Sequence, residues 1–422
     1  MMEAAASAAW TGVRGAVLAP VSPGQLDCRR DGIVAWDAAG TIRYVGPAGD
    51  LGARVRLLDV GAPAVIGPGL VDAHVHLPQL ALRGRNPGPL LDWLADQVFA
   101  AEAALCAEDA ARAAARDFDR ALLAAGTTAA GVYVTVHETA TAIALATLRG
   151  RGLVGQVLMD RGAPADLLRP AADGIAATAR LLAAHPGRVA VTPRFAVSAS
   201  SALLAAAGEL ARRHAVPVMT HLAENEQETA LVRKLFPEDR SYTEVYARAG
   251  LLTPRTVVAH AIHLDDKDWR TLAQSRAAVA HCPTANVALG SGRFPLETLR
   301  EHGVRFALAT DVGAGPSLSL WHVMDAFLTV HRGHAAVTPA EAFYRATAAG
   351  AELLGVPSGL GPGRPADLAV FRYPPEAGAA AEGEDLVRAL AVATRAEPEP
   401  QALLTVVGGR VLHAAPGLGA ES

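Results

Sequence analysis

Residues 69–76 read Gly-Leu-Val-Asp-Ala-His-Val-His, an apolar run that ends in two histidines one residue apart. Side chains at alternate positions of a β-strand lie on the same face, so His74 and His76 would point the same way. Neutral imidazoles are good ligands for Zn²⁺ and Fe²⁺. A His-x-His pair alone is a weak signal, and its meaning depends on the runs that follow it.

Seven more apolar, β-rich runs follow, and Ala-rich helical stretches lie between many of them. The eight runs are Val65–His74, Thr127–Val136, Leu153–Asp160, Val189–Phe195, Val216–His221, Thr256–His260, Ala277–Cys282 and Val304–Asp311. Apolar strands that alternate with helices predict a parallel sheet covered by helices. Eight such units match the count of a (β/α)₈ barrel. A doubly wound open sheet is the alternative, but no GxGxxG motif follows the first strand.

Short strand-like runs with turn residues lie at both ends of the chain, over residues 11–60 and again at Ala366–Phe371 and Leu404–Leu412. We therefore predict an α/β fold with a TIM-type (β/α)₈ barrel over residues 67–362. Residues 1–66 and 363–422 are predicted to form one small β-sandwich domain from both chain ends. Residues 374–400, rich in Ala, Glu, Pro and Gly, predict a surface excursion.

The composition excludes several classes of protein. The chain has 422 residues, 51% of them apolar and 19% charged, which excludes a disordered chain. The net charge of −4 gives no electrostatic case for nucleic acid or an anionic membrane, and no apolar stretch reaches the ~18 residues of a spanning helix. Three cysteines far apart, with no CxxC pair and no signal-peptide pattern at the start, predict a cytoplasmic protein.

Polar groups follow three later apolar runs: His221 ends the fifth, His260 the sixth and Asp311 the eighth. A single buried histidine is more often structural than functional. Together with His74 and His76, however, these are five groups at the same end of four strands, and those ends converge on one pocket in a barrel. Shared coordination of a cation compensates the cost of burying such groups. The five residues therefore predict a metal site.

This order of groups resembles the amidohydrolase superfamily, and further motifs resemble its guanine deaminase family from about Gly69 to Leu320. The motifs are Pro78-Gln79, Leu90–Leu94, His221-Leu-Ala-Glu-Asn225, Tyr242–Tyr246, Gly250–Leu252, Ala280–Thr284, Leu289–Gly292 and Thr310–Val312. Alanines at positions 100, 285, 307 and 309 depart from the family pattern. These departures concern the shape of the substrate loops and remove no expected ligand.

The resemblance implies hydrolytic deamination of guanine to xanthine and ammonia by a metal-activated water, a step of purine catabolism. It implies His74, His76, His221 and Asp311 as ligands of one Zn²⁺ per chain, with Fe²⁺ as the alternative. His260 would hold the water.

A single metal is favoured because binuclear relatives bridge two ions with a carbamylated lysine after strand four. This chain has only Lys234 and Lys267, and its fourth run ends in Thr192-Pro193-Arg194-Phe195.

The resemblance also implies catalytic and substrate-binding residues. Glu224, three residues after His221, would carry a proton to the ring nitrogen and then to the leaving amine, and Asp311 would take the water proton. Gln79 offers a donor and an acceptor to a purine edge, and the Arg194 fork would fix its orientation. Trp93 and Phe195 are candidates for the pocket walls.

Some questions stay open at this point. The same metal site could serve another amino-heterocycle, such as 8-oxoguanine, a pterin or an aminotriazine, or the chain could be a catalytically silent barrel that acts as an assembly protein. We expect a homodimer and a small-molecule purine substrate, with residues 83–100 closing over the base. His137, His263 and His281 also lie near strand ends, and none is assigned to the metal.

Overall fold

The fold contains two separate eight-stranded sheets. A computed structural model describes residues 10–50, 54–85, 88–378, 381–396 and 401–418. The strands are β1 (Trp10–Ser22), β2 (Gln25–Trp36), β3 (Ile42–Pro47), β4 (Val55–Leu57), β5 (Ala64–Pro68), β6 (Leu70–His76), β7 (Thr127–Tyr133), β8 (Arg151–Leu158), β9 (Val189–Pro193), β10 (Val218–Leu222), β11 (Thr256–His260), β12 (Ala278–His281), β13 (Arg305–Leu308), β14 (Leu368–Arg372), β15 (Leu404–Val407) and β16 (Arg410–Ala414).

Helices lie between most of the strands. They are α1 (Leu90–Trp93), α2 (Phe99–Ala103), α3 (Glu108–Ala124), α4 (Glu138–Thr147), α5 (Ala171–Ala184), α6 (Ser201–His214), α7 (Glu226–Leu235), α8 (Tyr242–Arg248), α9 (Asp266–Ser275), α10 (Pro283–Ala288), α11 (Leu296–Glu301), α12 (Leu320–Val330), α13 (Pro339–Arg345), α14 (Ala348–Leu354) and α15 (Gly383–Ala393).

Strands β6 to β13 form a parallel sheet in chain order, which confirms the predicted (β/α)₈ barrel. Its strands are apolar and buried on both faces because side chains fill the interior and helices cover the outside. The last and first units meet where the Asp311 N–H donates to the His74 carbonyl over 3.0 Å. The barrel therefore closes beside two of the predicted metal ligands.

Helix α3 illustrates how the outer layer forms. Ala111, Ala115, Phe118 and Leu122 recur at helical spacing and are buried, and the first turn holds the acidic residue Glu108, which suits the positive end of the helix dipole. The apolar stripe of this helix packs onto β7 and onto α4. Burial of one face, more than helix propensity, accounts for its stability.

The second sheet is mixed and is built from both ends of the chain. Its order is β16-β15-β14-β5-β1-β2-β3, and β4 pairs with the start of β1. One apolar cluster contains Val13 and Trp36 from the N-terminal part and Leu368 and Val406 from the C-terminal part. The predicted small β unit from both ends is therefore present, while its domain boundaries after residues 66 and 362 stay predictions.

The first predicted run, Val65–His74, is two strands that belong to different sheets. Residues of β5 pair with β1 and β14, whereas β6 pairs with β7. Gly69 separates them, and a Cβ added there would overlap the Thr128 side chain. An uninterrupted apolar run cannot reveal this change of sheet, because both strands are buried and equally apolar.

The prediction of a surface excursion over residues 374–400 is wrong for α15. Leu386, Val387, Leu390 and Ala391 are buried on one face of this helix, which packs against α12 and α13. Residues 379–380 and 397–400 lie outside the described part. The Ala- and Glu-rich composition that suggested a loop is equally compatible with an amphipathic helix.

Two further expectations concern the whole chain. Cys28, Cys106 and Cys282 are all free thiols, as the absence of a pairing pattern predicts. Within the described residues, no helix has both the length and the apolar character needed to cross a bilayer.

Candidate active site

Four buried side chains converge where the strands β6, β10 and β13 end. The Nε2 atom of His76 lies 3.1 Å from that of His74 and 3.2 Å from that of His221. Asp311 Oδ1 lies 3.3 Å from His74 Nε2 and 3.4 Å from His76 Nε2. The ligand atoms of a four-coordinate ion with bonds of ~2.0–2.1 Å are separated by about 3.4 Å in tetrahedral geometry. The four side chains therefore have the spacing and the chemistry of a divalent metal site.

The imidazoles are held neutral, as metal ligands must be. Burial lowers the pKa of His74, His76 and His221 well below the usual value, and the charges of neighbouring imidazoles and of the Arg194 guanidinium add to the effect. The His221 Nδ1–H donates to the carbonyl oxygen of Arg194 over 2.7 Å, which leaves the Nε2 lone pair for the cluster. Such a hydrogen bond behind a ligating histidine fixes both its tautomer and its orientation.

His260 lies at the edge of the same cluster. Its Nδ1–H donates to Asn286 Oδ1 over 2.9 Å, and its Nε2 atom has no hydrogen-bond partner among the described residues. The same Nε2 lies 3.7 Å from Asp311 Oδ2 and 3.4 Å from Glu224 Oε2. It therefore faces the space between the two carboxyl groups.

Glu224 reaches the cluster from a loop and not from a helix. It follows β10 after Ala223, whose backbone is left-handed at φ 47°, and it precedes α7. Ser291 Oγ donates to Glu224 Oε1 over 3.1 Å. Burial, reinforced by the nearby charge of Asp311, raises the pKa of Glu224 to about 8. This carboxyl group can therefore carry a proton near neutral pH.

The backbone is strained at three of these strand ends. His260 has φ 70°, Asp311 has φ 47° and Ala223 has φ 47°, although none is glycine. The left-handed region costs a non-glycine residue on the order of 1 kcal/mol, and such strain persists where the surrounding structure imposes it. Its concentration around one cluster is typical of a functional site.

A cavity opens above the cluster and is lined by the predicted substrate-binding residues Gln79, Trp93, Arg194 and Phe195. Leu90 and Leu94 also line it, so the segment predicted to close over the base contributes α1 and the turn after it. Residues 86–87 of that segment lie outside the described part. The structure thus brings every predicted site residue to one place.

Other residues around this site were not predicted from the sequence. Glu102 forms a buried ion pair with Arg194, and Asp72 accepts hydrogen bonds from Thr310 beside the ligands. Glu228 accepts a hydrogen bond from the backbone N–H of Glu224. Asp72 lies inside the quoted 69–76 run and could have been considered there, whereas Glu102 has no local pattern that distinguishes it from a solvated helix residue.

The three histidines left unassigned lie in other hydrogen bonds. His137 Nδ1 lies 3.1 Å from an Arg169 nitrogen, and His281 Nε2 lies 3.1 Å from that of His331. His263 donates to the carbonyl oxygen of Ser291 over 2.7 Å, which anchors the loop that carries the Ser291 hydroxyl.

The amidohydrolase family model matches residues 65–412, which is most of the chain. The chain belongs to the amidohydrolase family. This amidohydrolase is 38% identical over 382 residues to a probable guanine deaminase of Deinococcus radiodurans, covering 84% of this chain and 85% of that protein. It is 35% identical over 329 residues to a guanine deaminase of Escherichia coli K12, covering 75% of each.

A solved structure agrees with these sequence relatives. The structure of an E. coli guanine deaminase superposes with a TM-score of 0.87 at 29% identity and covers 96% of this chain and 99% of that one. The resemblance inferred from the motifs is thereby confirmed. The match spans both sheets of this amidohydrolase, which supports its barrel and its additional sheet alike.

Proposed function

We propose that this amidohydrolase hydrolyses guanine to xanthine and ammonia, as a step of purine catabolism. One observation carries the proposal: a metal-ligand cluster, a protonatable carboxyl group and two polar side chains suited to a purine edge surround a single cavity. The relatives named guanine deaminases in two bacteria support the choice of substrate.

We propose that His74, His76, His221 and Asp311 hold one Zn²⁺ per chain, with Fe²⁺ as the alternative, because both ions accept this donor set. When bound, the cation makes hydroxide available at neutral pH by lowering the pKa of a coordinated water to about 7. A count of one metal ion is supported by the residue that follows β9. A site with two metal ions would need a bridging lysine there, and this chain has Arg194. Lys234 and Lys267 are exposed on α7 and α9.

The catalytic roles of His260, Asp311 and Glu224 follow from the atoms that these side chains direct toward the cavity. His260 orients the water through its free Nε2, and Asp311 takes a proton from that water through Oδ2. Glu224, protonated at the outset, gives its proton to the ring nitrogen beside the attacked carbon. Glu224 then takes the remaining proton of the water and passes it to the leaving amine, and the proton held by Asp311 returns to Glu224, so that one water is consumed, one ammonia is released and both carboxyl groups regain their starting states.

Binding of guanine falls to the cavity walls. Gln79 and Arg194 would hydrogen-bond to the purine edge, and Trp93 and Phe195 would contact its faces. An indole and a phenyl ring offer a flat base a large apolar contact area. The partner is thus a small-molecule purine, with no role for nucleic acid or membrane. A homodimer in the cytoplasm remains our expectation for the protein.

The assay that tests the proposal follows the conversion of guanine to xanthine by absorbance, with protein loaded with one equivalent of Zn²⁺ or Fe²⁺. We expect turnover that is lost on chelation and restored by one metal equivalent. No turnover of guanine by metal-loaded protein would refute the proposal. Turnover of 8-oxoguanine, a pterin or an aminotriazine instead would identify the alternative substrate class, and full metal loading without any turnover would indicate the silent barrel.

A further inference from the structure

Glu228 is a buried carboxylate behind the loop that carries Glu224, the proposed proton carrier. Its Oε2 atom accepts from the backbone N–H of Glu224 over 2.8 Å and from that of Asn225 over 3.2 Å. Glu228 lies in the first turn of α7, and the residues that line the cavity include Glu224 but not Glu228. Any effect of this carboxylate on the reaction would therefore pass through Glu224.

The other oxygen of Glu228 is bound to a second helix. Tyr242, the first residue of α8, donates its hydroxyl hydrogen to Glu228 Oε1 over 2.7 Å. The same hydroxyl accepts from the backbone N–H of Ala196, which follows β9, over 3.2 Å. This series of buried hydrogen bonds thus links the segment after β9, the start of α8 and the loop after β10.

The loop that carries Glu224 is held from two sides. On one side, the carbonyl oxygen of Ala223 accepts from the backbone N–H groups of Ile262 and His263, over 3.1 and 2.9 Å. On the other side, Glu228 accepts from the N–H of the next residue, Glu224. Ala223 itself is left-handed at φ 47°, a strained conformation that persists only where the surroundings impose it. Without Glu228 the turn would relax, and the Glu224 carboxyl group would move with it.

Glu228 also completes the capping box of α7, which stabilises a helix without any catalytic role. The same motif begins α9, where the buried Asp268 occupies the same position and its Oδ2 accepts from the backbone N–H of Asp265 over 3.3 Å. The second oxygen of Asp268, Oδ1, has no hydrogen-bond partner among the described residues. Glu228 therefore makes two contacts that capping does not need, and one of them is to Glu224.

We propose that Glu228 is a positioning residue that holds the main chain of Glu224, with Tyr242 as its support, and thereby keeps the proton-carrying carboxyl group in place. This inference rests on the proposed function, because Glu228 has this role only if Glu224 carries the proton. Misplacement of a catalytic group by about 1 Å costs on the order of 100-fold in rate. Among the described residues, the side-chain hydrogen bonds of Glu228 reach none of the proposed metal ligands, so metal content should not change.

The test compares Glu228→Ala with Glu228→Gln. Alanine leaves two backbone N–H groups without this acceptor, so we expect kcat on guanine to fall at least about 10-fold, with KM within about 2-fold and metal content unchanged. Gln keeps one oxygen that can accept from both N–H groups, and its NH₂ group can donate to the Tyr242 hydroxyl. We therefore expect Glu228→Gln to keep kcat within about 3-fold of the unaltered protein. The matched control is Asp268→Ala, which breaks the capping box of α9 and should leave kcat as it was.

A double-mutant comparison determines whether Glu228 acts through Glu224. In protein that already carries Glu224→Gln, the carboxyl group to be positioned is gone, so Glu228→Ala should lower kcat by less than about 2-fold further. A merely structural role would give the same fold-loss in both backgrounds.

Hydrogen exchange of residues 222–226, followed by mass spectrometry without substrate, gives a readout besides activity. The exchange should become at least about 10-fold faster in Glu228→Ala, because the backbone N–H groups lose their acceptor. It should stay slow in Glu228→Gln and in the control Asp268→Ala.

Tyr242→Phe covers the case in which Glu228→Ala fails to fold. It removes the hydroxyl that supports the carboxylate and leaves the carboxylate itself in place. We expect kcat to fall about 3-fold or more, and to change by less than about 2-fold when Glu224→Gln is already present.

The outcomes separate this inference from the proposed function. If the unaltered metal-loaded protein does not turn over guanine, the proposed function fails. If it does, but kcat is unchanged in Glu228→Ala and Tyr242→Phe, or falls equally with and without the carboxyl group at position 224, Glu228 has only a structural role and the inference fails. Unchanged hydrogen exchange in Glu228→Ala would likewise overturn it.

Discussion

Asp72 joins the first strand of the barrel to the segment that follows the last strand. Its replacement by Ala or by Asn should distinguish the loss of its hydrogen bonds from the loss of its charge alone. Asp72 Oδ1 accepts from the backbone N–H groups of His74 over 3.3 Å and of Thr310 over 3.0 Å, and Oδ2 accepts from the Thr310 hydroxyl. Burial raises the pKa of Asp72 to about 7. One of these N–H groups belongs to the proposed metal ligand His74 and the other precedes the proposed ligand Asp311, so this carboxyl group supports the backbone at both.

The magnitude follows from counting these contacts. Asp72→Ala leaves two buried backbone N–H groups without an acceptor, at ~1–3 kcal/mol each. We therefore expect a loss of about 2–6 kcal/mol in the free energy of unfolding, together with a weaker metal site. In Asp72→Asn the remaining oxygen can accept both N–H groups, and the new NH₂ group can donate to the Thr310 hydroxyl. Because the pKa of the native carboxyl group is about 7, about half of the molecules already carry it uncharged at pH 7, and we expect a loss below about 1 kcal/mol.

The assay is urea-induced unfolding of metal-depleted protein, with metal content of the purified protein measured separately. For a slope of a few kcal/mol per molar, Asp72→Ala should lower the midpoint by about 1 M or more. Asp117→Ala on α3, whose exposed partner is Arg120, serves as the control and should change stability by less than about 0.5 kcal/mol. Equal destabilisation by Ala and Asn at position 72 would refute the reasoning from hydrogen bonds.

Four further predictions concern the ligands, the proton carrier and the strand junction. His221→Ala should lose most of its bound metal, and full metal content by elemental analysis would contradict the ligand assignment. Glu224→Gln should keep its metal while kcat falls at least ~100-fold, and near-normal turnover would remove Glu224 from the proton-carrying role. Ser291→Ala should lower kcat about 10-fold at unchanged metal content, because it removes one buried hydrogen bond to that carboxyl group. Gly69→Ala should lower the unfolding midpoint, since the added Cβ meets the buried Thr128 side chain; an unchanged midpoint would mean that the two strands can move apart freely.

The arrangement of the site was predictable as far as it depends on order along the chain. Parallel strands in a barrel all end at the same rim, so polar residues that terminate apolar runs must approach one another. This reasoning holds for His76, His221 and Asp311, which lie far apart in sequence and within a few ångströms in the structure. The same reasoning could not place Glu224, because it reaches the rim by a left-handed turn at Ala223 and not by continuing a helix.

Contacts between side chains on unrelated elements were not predictable. Glu102 and Arg194 are 92 positions apart, and Ser291 and Glu224 are 67 apart. Arg194, Glu224 and Ser291 stand at strand ends or in quoted motifs, but no periodic pattern or local motif indicates which remote residue each of them meets. Only the packing of remote elements against one another brings each pair into hydrogen-bond distance.

Local patterns thus establish the alternation of strands and helices, the unit count of the barrel and the chemical types at the strand ends, because these depend on side-chain periodicity and on chain direction. The folded molecule alone determines where an apolar run changes sheets, as at Gly69, and which buried charges meet, as at Glu102 and Arg194. The physical reason is that strand pairing and ion pairing depend on distances between remote segments. Those distances result from packing the whole core and are not encoded in any short stretch.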